Sequence, residues 1–271
     1  MDNWWKKYIS IAWSILNMDL ESLKWDEHNL DLYRIERRLE EYMGLKSERE
    51  IKIEEDYLRV CRNLKLVFFE DNSPERGTDD WDFTGWWTLN TSIYVSPPAS
   101  VEFGDHAGAL CKVTETLDIP EGRLVFYVRH ADDWHDTYTT GWNIHFRVND
   151  DVGGFSVDGS GFAVNGYTVH TWVHGYSVEL WEGGSKVTGK GIISAPHANQ
   201  WGKYRVTFWI SEDVLIVRKE WYDGGAEEWK KMIDDLTDVS PTFEEPNNRV
   251  GIGNRYWYNS WFDDIEIWKR I

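Results

Sequence analysis

Residues 254–271 read NRYWYNSWFDDIEIWKRI, and within them WFDDIEIW (261–268) sets two adjacent aspartates inside a run of strand-forming apolar residues. Trp, Phe and Ile at this density mark a strand with at least one face against a core. An acidic pair in such a strand is costly unless both carboxylates find partners.

The same period of two extends back through the chain. LKLVFFED, SVEF, ALCKVTETL, GRLVFYVRH, GWNIHFRV, YSVELWE, GKYRVTFWI, DVLIVRKEW and RVGIG are strand-like runs separated by Gly, Asp, Asn and Pro turns. They predict an all-β region over 63–271. AEEWKKMIDDL (226–236) is the exception, because Trp229, Met232, Ile233 and Leu236 recur at helical spacing and predict a short helix in a connection. No period of about 20–50 residues repeats, which excludes propellers and solenoids. A two-sheet antiparallel jelly roll best accommodates this many strands.

Residues 1–62 follow a different period. Trp5, Tyr8, Ile9, Ala12, Trp13 and Leu16 form one helical stripe, and Leu32, Ile35, Leu39, Tyr42 and Met43 form another before a Gly44 stop. A third helix starts at Ser47, where SERE fits a capping box and Ile51, Tyr57, Leu58 and Cys61 supply an inner stripe. A helical segment this short makes a thin core, so it is expected to pack on the rest of the chain, a second copy or a larger assembly. The expected division is a helical anchoring and assembly segment, 1–62, and a jelly-roll domain, 63–271.

The formal net charge of -18, spread along the chain, excludes nucleic acid as a partner, since phosphate binding needs a basic stripe. Cys61 and Cys111 are the two cysteines, and no Cys/His spacing builds a zinc site. His106, His130, His135, His170, His174 and His197 are scattered, with only His170 and His174 four apart, in a strand-like context. The apolar stretch after Lys6 and Lys7 lacks a small-x-small cleavage site and is too short to span a bilayer, so it reads as part of the mature protein. Gln200 is the only glutamine while Glu and Lys are plentiful, a mild thermophile-like bias.

Strand alternation divides each run into a core set and an outer set. Leu124, Phe126 and Val128 face inward and leave Tyr127 and Arg129 outside; Trp142, Ile144, Phe146 and Val148 leave Asn143, His145 and Arg147. Likewise Tyr204, Val206, Phe208 and Ile210 leave Arg205, Thr207 and Trp209, and Tyr176, Val178 and Leu180 leave Glu179 and Trp181. If these strands share one sheet, Tyr127, Arg129, Asn143, His145, Arg147, Glu179, Trp181, Arg205 and Trp209 line its outer face. Flat indoles beside amide, carboxylate and guanidinium groups suit a sugar, whose C–H faces stack while its hydroxyls hydrogen-bond. The alternatives are a helix covering that face, which makes Trp181 and Trp209 a second core layer, or a protein interface.

LVFFEDN followed by DDWDFTGWW near the start of the β region, and RVGIGN…SWFDDIEIW at its end, resemble the concanavalin A-like lectin/glucanase superfamily, including LamG-like domains and carbohydrate-binding modules. The resemblance spans residues 64–271 and implies that the first and last strands lie side by side. It also implies a structural calcium, with Glu70 or Asp71 joining Asp263 or Asp264. A solvent-facing aspartate pair at a strand edge is the alternative. The E-x-D-x-E pattern of the family's glucanases is absent, and Asp264 with Glu266 on the closing strand does not replace it. Asn143, Ile144 and His145 echo a triplet of jelly-roll polysaccharide lyases, in which Asn143 and Arg147 would neutralise a uronate and His145 or a tyrosine would take its α-proton; the other lyase signatures are missing.

These readings converge on a non-catalytic recognition or structural protein that binds carbohydrate at a cell, appendage or virion surface, extracellular or surface-associated, with no recognisable signal peptide. The alternatives are a virion or appendage subunit without a glycan ligand, and a lyase acting on uronates.

Overall fold

The computed structural model describes residues 48–70, 79–112, 114, 117–130, 141–149, 155–172, 177–192, 200–242, 248–255 and 259–271. The helices expected over 5–16 and 32–43 lie outside these residues. The chain divides into two compact units, Met1–Leu58 and Arg59–Ile271. Among the described residues no helix is long and apolar enough to cross a membrane.

The third expected helix is present as α1 (Glu48–Arg62). Ile51, Tyr57 and Val60 are its buried apolar residues, whereas Leu58 and Cys61 are partly covered. Lys52 Nζ donates to Asp56 Oδ1 one turn on, at 2.8 Å. Arg59 and Arg62 fall in the last turn, where cations complement the exposed carbonyls, and Asn63 Nδ2 donates to Arg59 O.

The strands then run β1 (Leu64–Glu70), β2 (Trp81–Thr84), β3 (Trp87–Asn90), β4 (Ser100–Phe103), β5 (Gly108–Cys111), β6 (Gly122–His130), β7 (Gly141–Val148) and β8 (Tyr167–Trp172). They continue as β9 (Ser177–Glu182), β10 (Ser185–Gly191), β11 (Gly202–Ser211), β12 (Val214–Asp223), β13 (Glu228–Lys231), β14 (Leu236–Asp238), β15 (Arg249–Arg255) and β16 (Ser260–Arg270). The first sheet has the order β13-β12-β11-β6-β16-β4-β3, with β1 also on β16 and β14 on β12; the second has the order β10-β9-β8-β7-β15-β5-β2. Every pairing is antiparallel. The result is the expected two-sheet jelly-roll sandwich, and the expected neighbours, first and last strands, are joined from Leu64↔Arg270 to Glu70↔Ile265.

The closing strand is central because it carries β6 along one edge and shares its other edge between β4 and β1. That position explains its apolar density. Phe262, Ile265 and Ile267 enter the core, where residues of both sheets interdigitate. Phe126 of the first sheet meets Trp142 of the second edge-on at 5.3 Å between ring centres, and Phe208 stacks with Phe146 at 4.6 Å. Cys61 and Cys111 are free thiols, the first partly covered and the second buried.

Two expectations need correction. The helix expected over 226–236 is replaced by β13 and β14, because the turn after Tyr222 folds the chain back as a hairpin, with Tyr222↔Trp229 and Glu220↔Lys231 in register. Asp223 Oδ1 accepts from the amides of Gly225 and Ala226 and fixes that turn. Met232, Ile233 and Leu236 still enter the core, so the apolar spacing reported burial and not helix. In addition, β5 (Gly108–Cys111) takes only the first three residues of the run ALCKVTETL, 109–111.

Candidate functional site

The nine residues expected on one outer face do not share a sheet. Tyr127 and Arg129 on β6, and Arg205 and Trp209 on β11, belong to the first sheet; Asn143, His145 and Arg147 on β7, and Glu179 and Trp181 on β9, belong to the second. The non-core faces of a sandwich point in opposite directions, so the two groups cannot act on one ligand.

The second sheet's outer face is covered by the chain itself. All eight residues of β7 are buried, with Asn143 and His145 fully so and Arg147 at 3% exposure, where the alternation predicted an open face. The connection at 155–165 crosses it as a strap. Asn143 Nδ2 donates to Gly161 O at 2.6 Å, and its Oδ1 lies 2.7 Å from His170 Nδ1. His145 Nδ1 lies 3.0 Å from Thr168 Oγ1, which accepts from the Ala163 amide. Phe162 stacks on Trp181 at 4.2 Å between ring centres, Phe155 meets His145 edge-on, and the Arg255 guanidinium sits 4.2 Å from the Trp172 ring and 4.6 Å from Phe162. Gly161 must be glycine at φ +77°, since an added Cβ would stand 2.5 Å from Asn254 O. Burial lowers the pKa of His145 to about 3, and that of His170 well below its ordinary value with Arg255 and Lys219 adding to the effect. Glu179 is paired to Lys186 and accepts from Trp181 Nε1. Asn143, His145 and Arg147 therefore form a roofed polar layer, and the lyase-like triplet presents no face to a polymer.

The first sheet's outer face is also covered in part. Trp209 is fully buried, with the Arg218 guanidinium 5.6 Å from its ring, so it is not a ligand platform. Arg129 lies over the Trp261 ring at 5.8 Å. Burial raises the pKa of Tyr127, and the nearby Asp264 and Glu266 raise it further. Beside these a groove of about 220 Å³ opens, lined by Cys61, Leu64, Arg123, Val125, Lys203, Arg205, Trp229, Glu266 and Trp268. Alternation puts them there: Arg123 and Val125 oppose the inward Leu124 and Phe126, Lys203 and Arg205 oppose Tyr204 and Val206, and Glu266 and Trp268 oppose Ile265 and Ile267. Arg205 grips Glu220 through Nε at 2.5 Å and Nη2 at 2.7 Å, and its guanidinium lies 4.5 Å from the Trp229 ring. Trp268 Nε1 donates to Glu266 Oε2 at 2.9 Å. Arg123 donates to Thr207 Oγ1 and to Cys61 Sγ.

Of the expected ligand residues only Arg205 lines this groove. The same alternation, carried back along GRLVFYVRH and GKYRVTFWI and forward along WFDDIEIW, finds Arg123, Lys203, Glu266 and Trp268. Trp229 was masked by its helical spacing.

The acidic pair has its own explanation. Against β6, Asp264 and Ile265 stand where one residue would fit, between Asp263↔Tyr127 and Glu266↔Val125, and Asp264 has φ 46°. This is a β-bulge with Asp in the left-handed position, which Asp tolerates better than most residues. Asp263, fully buried, accepts through Oδ2 from the amides of Val95 (2.6 Å) and Ser96 (3.0 Å), and through Oδ1 from that of Asp264 (2.9 Å). Asp264 Oδ2 accepts from Ser96 Oγ at 2.8 Å. Burial raises the Asp263 pKa against the lowering effect of those amides. Glu70 is buried at the end of β1, and Asp71 lies outside the described residues. Calcium takes six to eight oxygens facing one point; here N–H and O–H donors reach both oxygens of Asp263 and Oδ2 of Asp264. Among the described residues no group of three or more His, Cys, Asp or Glu could hold a metal ion. The pair pins the segment at Val95 and Ser96.

No protein-family model matches the sequence, and no curated protein matches it. Among solved structures the chain is similar to lectin I from Ulex europaeus in complex with the methyl glycoside of alpha-L-fucose, at 10% identity, TM-score 0.49, and coverage of 76% of this chain and 98% of the lectin. It is also similar to the VIP36 exoplasmic/lumenal domain in a Ca2+/Man2-bound form, at 12% identity, TM-score 0.46, and coverage of 78% and 90%. A carbohydrate esterase from Shiga toxin-encoding bacteriophage phi24B is similar at 11% identity, TM-score 0.46, and coverage of 77% and 100%. At these values the likenesses carry no weight for ligand or reaction; the jelly-roll assignment rests on the sheet order and on the pairing of β1 with β16.

Proposed function

We propose that the chain is a non-catalytic recognition protein that binds carbohydrate in the groove on the outer face of the first sheet. The observation that carries this reading is the pairing of two partly exposed indoles, Trp229 and Trp268, with ammonium, guanidinium and carboxylate groups around about 220 Å³ of space. Such a cavity is smaller than the roughly 300–1,000 Å³ of drug-sized sites and suits one or two sugar rings. Its single lining carboxylate, Glu266, does not supply the two that glycoside hydrolysis requires.

A glycan array followed by titration of the full chain tests the proposal. Binding that weakens at least tenfold in both Trp229→Ala and Trp268→Ala, with melting temperature held within a few degrees, supports it. Binding indifferent to both substitutions places the ligand elsewhere and refutes it.

A further inference from the structure

Resting on the sugar reading of the groove, we propose that its ligand is an acidic sugar whose carboxylate is held by Lys203. Glu220, beside the groove, takes the fork of Arg205, and Glu266, in its lining, accepts the Trp268 indole N–H. Lys203 is different. Its ammonium lies 5.3 Å from the Tyr127 ring, and among the described residues no carboxylate pairs with it. Asp and Glu outnumber Lys and Arg by 47 to 29 in this chain, so a groove lysine without a carboxylate partner stands out against the composition. Arg123 adds a second positive charge to the lining.

The groove is thus locally cationic inside a strongly acidic protein. At long range the net charge of -18 repels anions, so a polyanion is disfavoured, whereas a single uronate ring, stacked on an indole with its carboxylate at Lys203, gains from the local field and presents little further charge. Glu266 remains as an acceptor for ring hydroxyls through the lone pairs its bond to Trp268 leaves open.

The test uses the full chain at low salt with D-galacturonate and D-glucuronate, their methyl esters, and galactose and glucose, read by calorimetry. The acids are expected to bind at least tenfold more tightly than the esters, which keep the shape and lose the charge. Raising the salt should weaken the acids alone, and Lys203→Met should bring them down to the level of the esters while Lys203→Arg keeps most of the difference. Cys61 lines the groove and Cys111 is fully buried, so labelling by a methanethiosulfonate reagent reports on the site, and bound acid should slow it. Equal binding of acids and esters overturns the carboxylate proposal while leaving a neutral-sugar groove intact. Acids that bind without protecting Cys61 overturn this location, and failure of all six probes to bind overturns the proposal while the glycan array decides the sugar reading separately.

Discussion

Acidification from about pH 7.5 to about pH 5 should destabilise the fold through His145 and His170, because both are buried as neutral rings under the strap. The sign follows from linkage: a histidine whose folded pKa is depressed contributes stability above its unfolded pKa and loses it as the pH falls, since only the unfolded chain takes up the proton. With an unfolded pKa of about 6.5, and with His145 near 3 in the fold, the loss at about pH 5 is roughly 2 kcal/mol from that ring. His170, depressed in the same direction, adds a loss of the same sign. One such loss is a large part of an ordinary stability of about 5–15 kcal/mol. Urea unfolding of the parent and of His145→Gln at the two pH values isolates the effect, since carboxylates titrating in the same window are common to both proteins and cancel. The variant should lose about 2 kcal/mol less than the parent on acidification. Parallel losses would mean that His145 is protonated or hydrated in the fold and that the strap does not seal it.

Three further outcomes follow from buried groups. Lys219 is fully buried with its Nζ 3.4 Å from the Trp142 ring centre, and burial holds its pKa well below the ordinary value, so at neutral pH it costs stability; Lys219→Met should raise the free energy of unfolding in urea titrations by about 1–4 kcal/mol. Asp263→Ala should cost about 2–3 kcal/mol by stranding the Val95 and Ser96 amides, and calcium or a chelator should leave the melting temperature of the parent within about a degree. Gly161→Ala forces a Cβ against Asn254 O at positive φ and should cost about 1–3 kcal/mol, with faster proteolysis at 155–165 as the strap lifts.

Much of the fold was legible because period-two alternation needs no long-range information. The inward residues Leu124, Phe126, Trp142, Ile144, Val206 and Phe208 were identified from their own strands and all enter the core. The pairing of β1 with β16 also followed from the resemblance carried by the two ends of the β region. The outer faces were read less well. Asn143 and His145 sit at outward positions yet are fully buried, because Gly161, Phe162 and Ala163 return over them from another part of the chain. Trp229 was assigned to a helix because strand and helix burial look alike over so short a run, and only its hairpin partner Tyr222 distinguishes them.

By itself the sequence determined that this chain forms strands, which side of most of them is apolar, and that the final one is buried deeply enough for its aspartates to need partners. Tertiary structure alone decided which strands share a sheet, which outward residues are covered and where a groove is left, and that those partners are the backbone amides of Val95 and Ser96 with the Ser96 hydroxyl. The physical reason is that alternation is a property of one strand's backbone, whereas the neighbour across the sheet and the cover above it come from residues tens to more than a hundred positions away, fixed only when the whole sandwich closes.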